Sequence, residues 1–433
     1  MKKIFKNIIV LIITWQAKLI LARYNPKIIA ITGSVGKTST KDAIFVVLSK
    51  FKTVRKSEKS FNSEIGLPLT VLGAPNGWDD PFIWLENVIR GFHLILFKQP
   101  YPEYLVLEIG VGKPGDMKKN VTPWLRPDVV VVTRFPNKPV HVEFFGSAEK
   151  IIEEKSALVG ALKKGGILIL NHDDEKVYSL HEKSNERTVS FGMSENSTYH
   201  SMYPTYLYTE RNGIKVPNGI NFKLEYEGHT FPVMLPNILG MHNIGQALAA
   251  IACANELGCD LLLSINAVSE YITPPGRLSL IEGINDSMII DDTYNSSPVA
   301  MDAAIIVLHD IEAKRKIAVL GDMLELGKFT DEEHIAVGHK IASVADLLVV
   351  VGPRAKLIAE GALEKGFQQN NIYSFDSSKT VAKFLEGIIE KGDVVLMKAS
   401  QGVRLERAVE VIMKHKEQKR KLLCRQDKEW QNR

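Results

Sequence analysis

The sequence predicts a multi-domain α/β protein: a central P-loop-type domain on a mostly parallel sheet, then a Rossmann-like C-terminal α/β domain. Three observations carry this. The apolar run Ile28–Ile31 ends in the glycine-punctuated turn Gly33-Ser34-Val35-Gly36, and Lys37-Thr38-Ser39-Thr40 then opens a helix. Tyr104–Glu108, Asp128–Thr133 and Ile167–Asn171 are apolar runs of strand length, as in parallel strands covered on both faces. After the linker Thr273-Pro274-Pro275-Gly276 the alternation resumes, with Ser287–Asp291, Lys316–Leu320, Leu347–Val351 and Asp393–Met397 separated by helical stretches.

The elements follow in order. Residues 1–25 form an N-terminal hydrophobic or amphipathic helix, with Lys2, Lys3 and Lys6 before the uncharged Ile8–Ile13 and Lys18 and Arg23 after it. That apolar core is short of the roughly 20 residues a spanning helix needs. No small-residue cleavage site follows, so the segment reads as an interfacial helix on an anionic membrane face or as a helix packed on protein. The central domain occupies 26–276. It holds a helix from Lys37 to about Phe51, a loop at Ala74–Asp80, an aromatic-rich helix at Trp84–Phe97 and another helix from Ala148 to Lys163. Residues 187–235 are polar and alternating, with a Glu227-Gly228 turn, and read as antiparallel hairpins. An alanine-rich helix follows at His242–Leu257. The C-terminal domain covers 277–414, and 415–433 is a charged tail read as a frayed helix or solvated segment.

Composition excludes several classes. A net charge of +4 with no basic, aromatic-interleaved stripe does not suit a nucleic-acid partner. Cys253, Cys259 and Cys424 have neither metal-ligand nor disulfide spacing and suit a reducing cytoplasm.

The turn at Gly33–Gly36 is built for phosphate. Its glycines let backbone N–H groups close on an anion at a helix N-terminus, Lys37 would reach the terminal phosphates, and the Thr38 hydroxyl would ligate Mg²⁺. The strict GxxxxGK[ST] pattern is broken by Ile31, which stands where its first glycine belongs. Glu108, at the end of an apolar strand beside the loop, would be a second oxygen ligand for the Mg²⁺. Lys155 shares a helical face with Ile151, Leu158 and Leu162. A lysine there either snorkels to solvent or is held neutral, and a neutral amine can capture CO₂ as a carbamate, an anionic metal ligand. His141 precedes that helix; a lone histidine is more often structural or exposed than a ligand, and the nearby Lys155 is what raises it. Asn137-Lys138-Pro139-Val140 lacks the Asp of a guanine-reading motif, which excludes that reading.

Several runs together resemble the Mur ligases of peptidoglycan synthesis. They are Thr32–Thr38, Phe61–Thr70, Leu107–Gly110, His141–Ser147 with Lys155, Gly240–Asn243 and Gly276–Leu278. Asp291–Pro298, Leu320–Gly327 and Lys398–Ser400 are similar to the branch that adds D-alanyl-D-alanine. The resemblance covers about residues 27–412. It implies an ATP-dependent amide ligase that joins D-alanyl-D-alanine to a UDP-N-acetylmuramoyl-tripeptide through an acyl phosphate, giving ADP and phosphate. It also implies residue roles. Gly33, Ser34, Val35, Gly36, Lys37, Thr38 and Ser39 cradle the phosphates. Thr38 and Glu108 hold one Mg²⁺, and His141 with carbamylated Lys155 a second. Lys37 and Arg277 stabilise the transferred phosphoryl group, Asn243 and Asn295 contact adenine, Asp292 contacts the ribose, and Asn62 contacts substrate.

Two departures stand out. Gln246 occupies a position where the branch usually has Asn, near the adenine. The branch also normally begins with a domain that grips the uridine nucleotide, and Met1–Arg23 stands in its place. The donor would then be held otherwise, or be a variant or lipid-linked one. The expected partners are these small molecules and, through residues 1–23, the inner membrane surface, with the protein a cytoplasmic monomer. Two other readings are a folylpolyglutamate synthase-like ligase and a membrane-tethered nucleotide-binding regulator without ligase chemistry. The first is disfavoured by Asp292–Pro298, and the second requires His141 and Lys155 to be incidental.

Overall fold

The computed structural model describes residues 2–58, 61–78, 80–135, 142–211, 213–427 and 430. Two sheets organise them. The first contains β1 (Lys27–Thr32), β2 (Val54–Lys56), β3 (Tyr104–Glu108), β4 (Val129–Val132), β5 (Ile167–Asn171), β6 (Arg187–Gly192), β7 (Tyr199–Arg211), β8 (Ile214–Tyr226) and β9 (His229–Pro236). Their spatial order is β2-β3-β1-β4-β5-β6-β7-β8-β9. From β2 to β6 every pairing is parallel, and β7-β8-β9 add an antiparallel meander. The hairpin reading of 187–235 is thereby corrected at its start: Arg187–Gly192 pairs parallel with β5 and extends the main sheet. The Glu227-Gly228 turn is as expected, with both residues at positive φ, the geometry a two-residue hairpin needs.

The strand alternation decides which helix covers which face. Ile29, Ile31, Val106, Val129 and Val131 point to the side covered by α2 (Lys37–Leu48) and the alanine-rich helix Asn243–Glu256. Ile28, Ala30, Leu105, Leu107, Val130 and Val132 point to the other side. There they meet residues of α1 (Lys2–Tyr24), α3 (Gly66–Leu72) and α4 (Pro81–Leu96). The helix expected over Ala148–Lys163 stops at Ser156 and is followed by a 3₁₀ turn at Val159–Ala161.

The N-terminal helix therefore packs on its own domain by one face. Ile13, Ala17 and Ile20 are fully buried in the second core. Gln16 donates from Nε2 to Val88 O at 2.8 Å, and Gly91 is the residue that admits it, since a Cβ there would run into the Gln16 amide. Tyr24 stacks on Tyr101 and its hydroxyl reaches Leu94 O at 3.0 Å. Among the described residues no helix is long and apolar enough to cross a membrane.

The second sheet has the order β10 (Ser279–Glu282), β11 (Met288–Asp292), β15 (Asp393–Lys398), β12 (Arg315–Gly321), β13 (Leu347–Val351) and β14 (Ile372–Phe375). Only edge strand β10 is antiparallel. The tail after residue 414 is not simply solvated. Leu423, Cys424 and Arg425 are buried, and Arg425 forms an ion pair with buried Glu406 at 2.7 Å.

Candidate active site

β1 runs straight into the turn, and two glycines shape it. Gly33 has φ 138° and Gly36 φ 85°, conformations that an L side chain adopts only under strain. A Cβ on Gly33 would also collide with Thr133 Oγ1. Thr133, just beyond β4, donates to Val35 O at 2.7 Å, and Ser34 N donates to Arg134 O at 2.7 Å. The turn is thus clamped against the neighbouring strand end with its backbone N–H groups at the N-terminus of α2. A parallel sheet brings these strand ends to one edge, which is where ligands sit in such folds.

Lys37 lies in this cradle with Nζ 3.3 Å from Ser34 O. Desolvation lowers its pKa, the Arg277 charge adds to that, and Glu108 opposes it. Arg277 comes from the start of the second domain and places Nη2 3.5 Å from Thr38 Oγ1, while its guanidinium lies 4.3 Å from the Tyr294 ring centre. Its buried Nε has no hydrogen-bond partner among the described residues. Two cations from two domains therefore face one phosphate site.

Glu108 is buried at the end of β3. Asn62 donates to its Oε1 at 3.3 Å, and Lys41 stands 4.0 Å from Oε2, which accepts no hydrogen bond. A buried carboxylate oxygen without a donor is suited to a hard cation. Glu108 and Thr38 thus fit one Mg²⁺.

Of the two readings of Lys155, snorkelling is excluded by its burial. Lys155 is buried, and desolvation, with the nearby Lys37 charge, puts its pKa well below the usual lysine range. It does not snorkel; its Nζ donates to Ser34 Oγ at 2.9 Å. Lys155, Lys37, Ser34, Asn62, Lys113 and Asp116 line a cavity of about 430 Å³ beside the phosphate turn. His141 lies outside the described residues, as do Asn137–Val140.

Of the remaining expected residues, Asp292 and Asn295 lie at and just beyond the end of β11, and Asn243 opens the alanine-rich helix. Asp292 ends β11 and accepts from Lys398 Nζ at 2.6 Å in a buried ion pair; Lys398 also donates to Asn295 O. The Asn295 side chain is exposed. Asn243 is buried, its amide donating to Leu239 O at 2.7 Å and Gly240 O at 3.1 Å, so it also shapes the turn before its helix. Gln246 reaches the phosphate turn. Its Nε2 would be 3.5 Å from a Cβ on Gly36, and its Oε1 is buried without a partner.

Three contributors escaped the sequence reading. Thr133 looked like an ordinary strand-end residue, Lys398 received no role, and Arg425 lay in a stretch read as solvated. Arg425 donates to Thr293 O and Tyr294 O, gripping the loop that carries Asp292 and Asn295. No local pattern marks Thr133 or Arg425, whereas Lys398 stands in the Lys398–Ser400 run that carried the resemblance.

A phosphate cradle, two cations from different domains and a buried carboxylate oxygen that accepts no hydrogen bond among the described residues define a two-domain protein that binds a phosphorylated nucleotide. Known proteins match it closely. Residues 85–254 match the Mur ligase middle domain and residues 276–401 the Mur ligase, glutamate ligase domain. The UDP-N-acetylmuramoyl-tripeptide--D-alanyl-D-alanine ligase of Bacillus subtilis is 32% identical over 395 residues, 91% of this chain and 77% of the relative. That of Mycobacterium leprae is 29% identical over 410 residues, 89% of this chain and 73% of the relative. Among solved structures, the MurF ligase from Thermotoga maritima in complex with ADP superposes with a TM-score of 0.75 at 27% identity, covering 93% of this chain and 83% of that one. The chain belongs to the Mur ligase family.

Proposed function

We propose that the protein joins D-alanyl-D-alanine to UDP-N-acetylmuramoyl-tripeptide in peptidoglycan synthesis, at the expense of ATP. The observation that carries this is the meeting of Arg277 with Thr38 over the phosphate turn, which makes the site complete only with both domains. The γ-phosphoryl group would pass to the tripeptide's terminal carboxylate, breaking its bond to the bridging oxygen of ADP. The dipeptide amine then attacks the acyl carbon, phosphate leaves with the C–O bonding pair, and the amine gives up its proton.

The residues divide this work. Gly33–Ser39 present backbone and side-chain donors to the phosphates, and Lys37 and Arg277 offset charge on the phosphoryl group in transit. Mg²⁺ on Thr38 and Glu108 would neutralise the phosphates further. Asn62, bonded to Glu108 and lining the cavity, would meet the donor. Asp292, Asn243 and Asn295 would frame ribose and adenine.

Lys155 fits carbamylation: its neutral amine would add to CO₂ with loss of a proton, and the carbamate, with His141, would hold a second Mg²⁺. Burial and the nearby Lys37 charge lower the Lys155 pKa, which favours this. The protein would act as a monomer. The three free cysteines suit the cytoplasm. Residues 1–23 would rest on the inner membrane face, supported by exposed Leu11 and Trp15 on the side of α1 opposite its packing face.

The test is to incubate the protein with ATP, Mg²⁺, UDP-N-acetylmuramoyl-tripeptide and D-alanyl-D-alanine and weigh the products. ADP and phosphate should appear in step with the pentapeptide. AMP and pyrophosphate, or nucleotide turnover indifferent to the dipeptide, would refute the proposal. An acceptor screen that instead selects glutamate would favour the folylpolyglutamate synthase-like reading.

A further inference from the structure

Two helices leave apolar rows uncovered on the same side of the central domain. On α1 the row is Ile8, Leu11, Trp15 and Leu19; on α4 it is Phe82, Leu85, Ile89, Phe92 and Leu96. Both follow a three- or four-residue spacing, which keeps each row on one helical face. Leu11 is 70% exposed, Phe82 75% and Leu96 66%. The rows adjoin, because the Trp15 and Phe92 rings meet edge to face at 6.1 Å. The helices also run in the same direction, since Gln16 bonds Val88 and Tyr24 bonds Leu94. Together they make one apolar plate, on the order of several hundred Å², at or above the largest patches a soluble monomer usually shows.

We propose that this two-helix plate docks the protein on an anionic lipid bilayer, with α4 inserting alongside α1. The inference rests on the membrane reading of residues 1–23 and changes it: α4 contributes as much apolar surface as α1, and the docking element is rigid because both helices are anchored in the core.

Charge selects the occupant. α1 carries Lys2, Lys3, Lys6, Lys18 and Arg23 and no acidic residue. Of these, Lys18 and Arg23 are exposed and flank the apolar row, and such residues suit anionic headgroups, with the apolar side chains entering the headgroup–acyl boundary. A second copy fits less well, since a two-fold contact between plates would bring two such basic helices together. Neither helix can span the bilayer, so the plate would lie in the interface plane.

Point variants are the appropriate probe. Deleting residues 1–23 would strip Ile13 and Ile20 from the core and confound docking with unfolding. The full chain is sedimented with vesicles of phosphatidylcholine, alone or with a third phosphatidylglycerol, at low and high salt. It should bind the mixed vesicles, less so at high salt. The pair Leu85→Glu with Ile89→Glu, and separately Leu11→Glu with Trp15→Glu, should each lower the partition coefficient by at least about tenfold. Leu85→Asn with Ile89→Asn should weaken binding without the added charge. Thermal melting and ligase turnover in solution should stay as in the parent.

If only the α1 pair loses binding, the two-helix plate is wrong while the membrane reading of residues 1–23 survives. If the parent binds neither vesicle, both fall. Equal binding to neutral and anionic vesicles would overturn the charge argument. A concentration-dependent dimer in gel filtration, abolished by the same variants, would make the plate a self-contact instead.

Discussion

Gly33→Ala tests how the phosphate turn is held. Two independent costs arise. At φ 138° an alanine sits in a region open essentially to glycine, a strain of about 1–3 kcal/mol. Its Cβ would also collide with Thr133 Oγ1, which is fixed by its bond to Val35 O at 2.7 Å. The turn must therefore move, taking its N–H groups off the phosphates. With strain and collision together at roughly 3 kcal/mol or more, ADP affinity should fall by at least about 100-fold. Thr133→Ala alone removes one hydrogen bond, worth about 1 kcal/mol, and should weaken ADP about fivefold. In the double variant the overlap with Oγ1 is gone, leaving the backbone strain, the lost bond and the milder approaches to Arg134 N at 3.1 Å and the residue-133 Cβ at 3.2 Å. Its loss should then be smaller than the sum of the two single losses, by about 1 kcal/mol. Isothermal titration with ADP on all four proteins measures this. Additive losses would show that Thr133 does not press on Gly33, and parent-like affinity in Gly33→Ala would refute the geometry of the turn.

Three further outcomes are expected. Lys155→Ala should lose most turnover while still binding ADP, with partial return on adding formate or acetate, whereas Lys155→Arg should stay inactive because a guanidinium cannot be carbamylated; an active arginine variant would end the carbamate assignment. Arg425→Ala leaves Glu406 short of one cation and two loop carbonyls without their donor, so it should cost about 3–5 kcal/mol in denaturant titration and raise the KM for ATP more than it lowers kcat; an unchanged KM would separate the tail from nucleotide binding. Asp291 is fully buried, and burial pushes its carboxyl up to about 7 from an ordinary value of 3.8. The folded state therefore keeps a proton that the unfolded state releases, so the stability this group supplies at low pH is lost as pH rises towards 7. Asp291→Asn does not titrate, and its Tm relative to the parent should rise by about 4 °C or more between pH 5 and pH 8; a constant difference would mean that Asp291 is ionised throughout.

What was legible from the chain alone was what neighbouring residues decide. The glycines, lysine and threonine of the phosphate turn are contiguous, so their chemistry needs no partner to be recognised. Strands buried on both faces read as apolar runs, and Ile28–Ile31, Tyr104–Glu108 and Ile167–Asn171 all became parallel strands. Lys155 was visible because a cation on an apolar helical face is costly. The strand at Arg187–Gly192 misled because its pairing depends on β5 rather than on its own alternation.

Contacts between distant positions were settled in space. Thr133 braces a turn about 100 residues earlier in the chain, Arg277 reaches Thr38 across 239 residues, and Arg425 holds Tyr294 across 131. Their residue types are ordinary, and packing alone gives them a role: β4 lies beside β1, the C-terminal tail folds onto the loop after β11, and Arg277 crosses from one domain to the other. The N-terminal helix shows the same division. Its composition announced an apolar helix edged with lysines but left open which face meets protein. Packing answered that, because Gln16 and Ile13 fit against Gly91 and the core, while Leu11 and Trp15 remain outside beside the exposed row of α4.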